Sequence, residues 1–291
     1  MLSQAELKGI YVPVVTPFLP DGELDLVSYE RYVKHLLEFE IDGLVVGGTT
    51  GESPTISWEE VAELVSITRD ALGTRSVPIV VGTGTNSTAD TVRRTEMAGR
   101  IGADAALVVT PYYSRPSEAG ILEHYRRASR TGLPVIAYEI PSRTGIRLSA
   151  ETMRAILELD GVIGLKDSSG SLTLLQELGS FATKPVLCGD DVLLYDMLRL
   201  GASGGISASA NVFTRNFIEI CRQAAAGNYP EASRVFDGLR PLIDDLFREP
   251  NPAPLKWLLA RQDLLAADAV RLPMSQITSA LQERLSRYLV E

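Results

Sequence analysis

A short apolar, β-branched run followed by a helical repeat recurs along the first three quarters of the chain. The runs lie at residues 9–16, 43–49, 78–84, 105–110, 134–140, Val162–Asp167, 185–189 and 204–207. Several are nearly continuous in apolar residues, as parallel strands covered on both faces should be. Between them the spacing predicts amphipathic helices. Trp58–Leu72 sets Val61, Leu64, Val65 and Thr68 on one face, and residues 119–128 and 150–159 repeat the pattern. Gly73, Gly102 and Gly132 close their segments, as helix-ending glycines do.

Eight such units predict an α/β chain folded as a (β/α)8 barrel over residues 1–225, rather than an open sheet. Beyond them the pattern turns wholly helical, at residues 229–248, 253–265 and 275–290. No linker or composition shift sets this part off, so residues 226–291 are expected to be a helical extension of the same domain. These helices serve either as a cap on the barrel or as an oligomer surface.

Composition narrows the function classes. With 291 residues and 45% apolar content the chain can bury a large core. A net charge of −9 speaks against nucleic acid, whose phosphates need a basic surface. Residues 1–6 show neither a basic leader nor an apolar stretch, and no apolar run approaches membrane-spanning length. Cys188 and Cys221 are too few for a disulfide framework and read as buried thiols. A cytoplasmic location, with no membrane and no nucleic-acid partner, is the expectation.

In such barrels chemistry gathers at the carboxyl ends of the strands. Read in order, those ends carry Gly48-Thr49-Thr50-Gly51-Glu52-Ser53, Thr110-Pro111-Tyr112-Tyr113, and Tyr138 followed by Pro141-Ser142-Arg143-Thr144-Gly145. Lys166, Gly189-Asp190-Asp191 and Gly205-Ile206-Ser207 complete the ring. Lys166 is one of only five lysines and closes the run Val162-Ile163-Gly164-Leu165. A strand-end ammonium loses hydration on burial, which favours the neutral amine that attacks a ketone to form a Schiff base. Taken singly, Lys166 could snorkel to water or pair with Asp167, Arg143 could be a solvated loop residue, and Tyr138 could be core. Their convergence at the strand ends favours chemistry.

Other chemistries lack their residues. His35 and His124 fall within helical segments, so an imidazole metal site is not expected. Gly82-Thr83-Gly84-Thr85 lacks the third glycine of a dinucleotide fingerprint. No basic residue follows Gly204-Gly205-Ile206-Ser207 before Arg215, which speaks against a phosphorylated substrate. Asp190-Asp191 reads as an acidic helix start rather than a metal pair. Amine-based carbonyl chemistry on a carboxylate-bearing substrate survives, with the Gly-Thr-Thr-Gly turn for one carboxylate and the fork of Arg143 for a second.

At these residues the chain resembles the dihydrodipicolinate synthase family of pyruvate-dependent class I aldolases, a superfamily that includes N-acetylneuraminate lyase. Glu249-Pro250-Asn251-Pro252, Lys256-Trp257 and Arg271-Leu272-Pro273-Met274 extend the resemblance nearly end to end. It implies that Lys166 forms the Schiff base with pyruvate, with no other cofactor and no metal, and that Tyr138 is the general acid/base. It implies that Thr49 and Tyr113 relay the proton, Tyr113 reaching into a neighbouring subunit. Thr50 would bind the pyruvate carboxylate, the backbone at Gly189 and Ile206 would line the pocket, and Arg143 would orient L-aspartate 4-semialdehyde. The product would be 4-hydroxy-tetrahydrodipicolinate, on the route to lysine through diaminopimelate. A homotetramer built as a dimer of dimers is implied as well.

Two departures from the family pattern matter. Glu139 stands where asparagine is common; by strand alternation it points away from Tyr138 and reads as structural. Trp58, Val61 and Asp90 replace the histidines and glutamate of lysine-sensitive members, beside retained Ser53, Asn86 and Tyr112. Weak or absent inhibition by lysine is therefore expected. Two competing readings use the same residues: a pyruvate-lysine aldolase or dehydratase for a 2-keto-3-deoxy sugar acid or related 2-oxo acid, and a paralogue that binds carboxylate without turnover.

Overall fold

The computed structural model describes residues 1–179 and 184–289. Among them, eight parallel strands close into a barrel in chain order, with β1 paired to both β2 and β8. The strands are β1 (Gly9–Pro13), β2 (Gly43–Val46), β3 (Ile79–Gly82), β4 (Ala105–Val109), β5 (Val135–Glu139), β6 (Val162–Asp167), β7 (Val186–Cys188) and β8 (Gly204–Ile206). The helices in chain order are α1 (Leu26–Leu36), α2 (Trp58–Leu72), α3 (Thr88–Arg100), α4 (Glu118–Ala128), α5 (Pro141–Thr144), α6 (Ala150–Leu157), α7 (Thr173–Gly179), α8 (Leu194–Arg199) and α9 (Thr214–Ala225). The (β/α)8 expectation holds.

Most strands stop short of their apolar runs, because the last residues of each run turn into the loops over the barrel. The run at 43–49 shows why: Gly47 has φ +63°, a left-handed backbone that ends β2 at Val46 and starts the turn. Period-two alternation then divides the side chains. Tyr11, Val45, Val80, Leu107, Leu187 and Ile206 fill the barrel interior. Val12, Leu44, Val46, Val108 and Leu165 face outward into a second apolar cluster shared with the helices. In α2 the buried positions are Val61, Leu64, Val65, Thr68 and Leu72, the face the spacing predicts. Ser57 and Glu60 form a capping box at its start, and Gly73 ends it at φ +56°.

The extension continues as α10 (Tyr229–Leu246), α11 (Ala253–Arg261) and α12 (Ser279–Ser286). Its Phe236, Leu258 and Leu285 belong to the same outer cluster as the strand residues. The predicted helices run too long. The chain reverses at Asp263 (φ +58°), which ends α11 before residue 265. Thr278 caps α12 at Leu281 N–H, while the Glu249 carboxylate takes Thr278's own N–H and hydroxyl. Residues 275–278 are thereby held outside the helix, and residue 290 lies outside the described residues.

Candidate active site

Lys166 and Tyr138 are register partners on β6 and β5, so both project into the barrel. Both are buried, and the Lys166 ammonium lies 4.3 Å from the centre of the tyrosine ring. Among the described residues Lys166 makes no ion pair, so pairing with Asp167 is not what the structure shows. Asp167, one position on, points outward and bonds Ser169 N–H at 2.8 Å. Gly189, just past β7, packs against the lysine stem. A Cβ there would lie 2.7 Å from Lys166 Cε and 3.0 Å from Cγ, and would collide with Ser168 Oγ. The lysine can occupy its place because this residue has no side chain. Ile206, at the end of β8, shares the inner cluster with Tyr138.

A cavity of about 470 Å³ opens at the carboxyl ends of the strands, lined by Thr49, Tyr138, Arg143 and Thr144 among others. Ser53, Asn86, Asp90, Arg94 and Tyr112 extend it to one side. The fold thus joins the turn after β2 and the loop after β5; Tyr138 lines this cavity, and Lys166, which does not, lies against the Tyr138 ring. Thr50 and Tyr113 are placed otherwise. Thr50 is buried within the turn and does not line this cavity. Tyr113 is 89% exposed, with φ +71°, and does not line this cavity. Val61 is core, and Asp90 pairs with Arg93 at 2.8 Å.

The turn after β2 is held from far along the chain. Asn251 Nδ2 donates to Thr50 Oγ1 at 3.1 Å, with the threonine oxygen as acceptor. Glu52 sits at φ +56°, a strained backbone for a residue with a side chain. Its carboxylate accepts from the Lys256 ammonium at 2.6 Å and from Arg271 N–H at 3.1 Å. Lys256 is fully buried over the Phe18 ring, 4.1 Å from its centre. Burial pushes its ammonium down to about 8, against the pull of Glu52.

The loop after β5 is held differently. Glu139 is fully buried on the outer face of β5, and accepts from Thr110 Oγ1 and from Leu148 N–H, both at 2.9 Å. Burial raises its carboxyl above the usual range, and neighbouring Asp167 adds to the rise. Asp167 is raised by burial too, and its Oδ2 finds no partner among the described residues. Its strand neighbour is Glu139, so two acids stand side by side.

Asp190 and Asp191 act as structural acceptors. Asp190 takes Gly170 N–H at 2.9 Å, and Asp191 takes Ser209 N–H at 2.6 Å and Ala208 N–H at 3.2 Å, clasping the segment after β8. Buried His124 bonds Thr88 through Nδ1 at 3.0 Å, and burial lowers it to about 4. Among the described residues no group of three or more His, Cys, Asp or Glu could hold a metal ion. Sequence reasoning named neither Asn251 nor Thr110 as a support. Their partners lie 201 and 29 residues away, and no local spacing encodes that contact.

Comparison with known proteins agrees with this geometry. Residues 6–291 match the sequence model of the Dihydrodipicolinate synthetase family. The chain is 40% identical over 289 residues to the 4-hydroxy-tetrahydrodipicolinate synthase of Syntrophus aciditrophicus, covering 97% of each. It is 37% identical over 278 residues to that of Escherichia coli K12, covering 94% of this chain and 95% of the relative. The dihydrodipicolinate synthase of Acinetobacter baumannii, solved with pyruvate, superposes with a TM-score of 0.94 at 35% identity, covering 97% of this chain and 98% of that one. By sequence and by fold, the chain belongs to the dihydrodipicolinate synthase family.

Proposed function

We propose that this chain is a 4-hydroxy-tetrahydrodipicolinate synthase, a lyase of the class I aldolase type that condenses pyruvate with L-aspartate 4-semialdehyde. The observation that carries the reading is the buried Lys166 amine, 4.3 Å over the ring of Tyr138, which lines a cavity together with Thr49 and Arg143. The Lys166 amine adds to the pyruvate ketone carbon, and loss of water leaves a protonated imine. That imine is an electron sink, so a methyl proton leaves and an enamine forms. The enamine carbon attacks the aldehyde, whose oxygen takes up a proton. The amino group of the semialdehyde then attacks the imine carbon and expels Lys166, closing the ring. One water is released overall, and no oxidant or reductant is needed.

Tyr138 moves protons in both directions, and Thr49 and the exposed Tyr113 pass them on, Tyr113 serving the site of a neighbouring subunit. Its 89% exposure and strained backbone support that role. Thr50 takes the pyruvate carboxylate, the backbone at Gly189 and Ile206 frames the imine, and Arg143 takes the carboxylate of the aldehyde. The reading includes a homotetramer, one domain from barrel to extension, a cytoplasmic location, and no cofactor beyond the lysine itself. No described helix is long and apolar enough to cross a membrane.

Pyruvate consumption with L-aspartate 4-semialdehyde, coupled to a reductase for the cyclic product, tests the reaction. The rate should vanish in Lys166→Ala, and borohydride should trap pyruvate on Lys166 of the native chain. Trapping without condensation would move the assignment to a sugar-acid aldolase, and no trapping at all to a carboxylate-binding paralogue. Lysine should inhibit weakly, because apolar Val61 and Arg93-paired Asp90 offer a free amino acid few polar partners. A titration showing strong inhibition would refute that part.

A further inference from the structure

The Glu139 carboxyl ties two site loops together. Thr110, which donates to it, opens the loop after β4 that carries Tyr112 and Tyr113. Leu148, whose N–H donates to its other oxygen, closes the loop after β5 that carries Arg143. Thr110 also gives its backbone N–H to Tyr138 O at 2.9 Å, so the three strand-end residues form one knot. The rest of the β5 loop is tied largely to itself. Thr144 Oγ1 bonds Ile140 O at 3.1 Å and Ile146 O at 3.0 Å, within the loop. Arg147 makes a separate tie to Ser169 O at 2.8 Å.

Resting on the reading that Arg143 receives the aldehyde's carboxylate, we propose that Glu139 is a positioning residue for the aldehyde substrate, its carboxyl fixing where Arg143 stands by locking the end of the β5 loop to the start of the β4 loop. Glu139 touches no substrate, since it faces away from the cavity. The pyruvate side has its own supports at Asn251, Lys256 and Arg271, so the two substrates should respond separately. Glutamine can keep both bonds, because its carbonyl accepts from Leu148 and its amide can donate to the Thr110 hydroxyl. Alanine keeps neither.

The test compares Glu139→Ala, Glu139→Gln and Thr110→Val with the native chain. In Glu139→Ala the KM for L-aspartate 4-semialdehyde should rise about tenfold, a loss typical of a displaced orienting group. Half-saturation by pyruvate, read from borohydride trapping, should stay unchanged. Glu139→Gln should restore the native aldehyde KM, and Thr110→Val should shift it in the same direction as alanine but less. A parallel rise for both substrates, or an unchanged aldehyde KM in Glu139→Ala, overturns the proposal. Should Glu139→Ala fail to fold, an unchanged aldehyde KM in Thr110→Val overturns it.

If the native chain traps pyruvate yet condenses no L-aspartate 4-semialdehyde, the functional reading has failed, and the positioning claim is read by hydrogen exchange instead. Amides 142–148 should exchange faster in Glu139→Ala, or in Thr110→Val where only that variant folds, while amides 47–53 do not change. Equal exchange in the β5 loop overturns the claim.

Discussion

Two buried clasps flank the cavity, and they solve the problem of a buried carboxylate in opposite ways. Glu52, in the turn after β2, meets a buried ammonium at 2.6 Å and a backbone N–H, and both come from more than 200 residues along the chain. Glu139, behind the Arg143 loop, meets a hydroxyl and a backbone N–H from 29 and 9 residues away, and its strand neighbour is another acid. The first clasp is charge-balanced and spans barrel and extension. The second is local, and burial holds both of its acids above their ordinary range. The balanced clasp therefore depends on both of its ions, and the two clasps respond to pH with opposite signs.

The largest expected effect comes from breaking the balanced clasp halfway. Lys256→Met leaves the Glu52 carboxylate buried without its cation, which typically costs about 3–5 kcal/mol. Equilibrium urea unfolding would measure it. Adding Glu52→Gln should recover much of the loss, because it is the orphaned charge, rather than the absent pair, that destabilises. A double variant as unstable as the sum of the singles would show that the two side chains act independently.

The second effect is a contrast in pH dependence. Glu139 and Asp167 are held above their ordinary values of 4.5 and 3.8, so the folded chain keeps protons that the unfolded chain has released. Stability should fall as pH rises from those ordinary values through the raised ones. Arg147 opposes the rise at both acids, and Asp190 adds to it at Asp167. Lys256 has the opposite sign. Its folded value near 8 lies below the ordinary 10.5, so the unfolded chain binds the extra proton and stability should rise with pH across that interval. Unfolding free energies across both windows should show Glu139→Gln flattening the acid-side slope and Lys256→Met the alkaline one. Unchanged slopes would mean that these groups titrate alike in both states.

The two clasps also mark how far the sequence is readable. The barrel was legible because alternation and apolar runs are local, and β5 and β6 set Tyr138 beside Lys166 once their register is known. The outward direction of Glu139 followed from the same alternation. Its bonds to Thr110 and Leu148 did not, since they depend on how two loops fold back over the barrel. Contacts from Asn251, Lys256 and Arg271 to the turn after β2 were beyond any local pattern. The overlong helices at 253–265 and 275–290 were misread because Asp263 and Thr278 stop them by a backbone reversal and a cap, which apolar spacing does not record.

The smallest effect is an expected constancy. Asparagine at position 139 is one methylene shorter than glutamate, so it reaches Thr110 and Leu148 less well, and the affinity for every aldehyde should fall together. The side chain still faces away from the cavity, among Thr110, Leu148 and Asp167, and it has no contact by which to tell one aldehyde from another. Glu139→Asn should therefore leave the ratio of kcat/KM for L-aspartate 4-semialdehyde over a competing aldehyde unchanged, even while each value drops. A changed ratio would mean that the acidic clasp selects the substrate as well as holding the loop, and the separation between the two clasps and the cavity they flank would not stand.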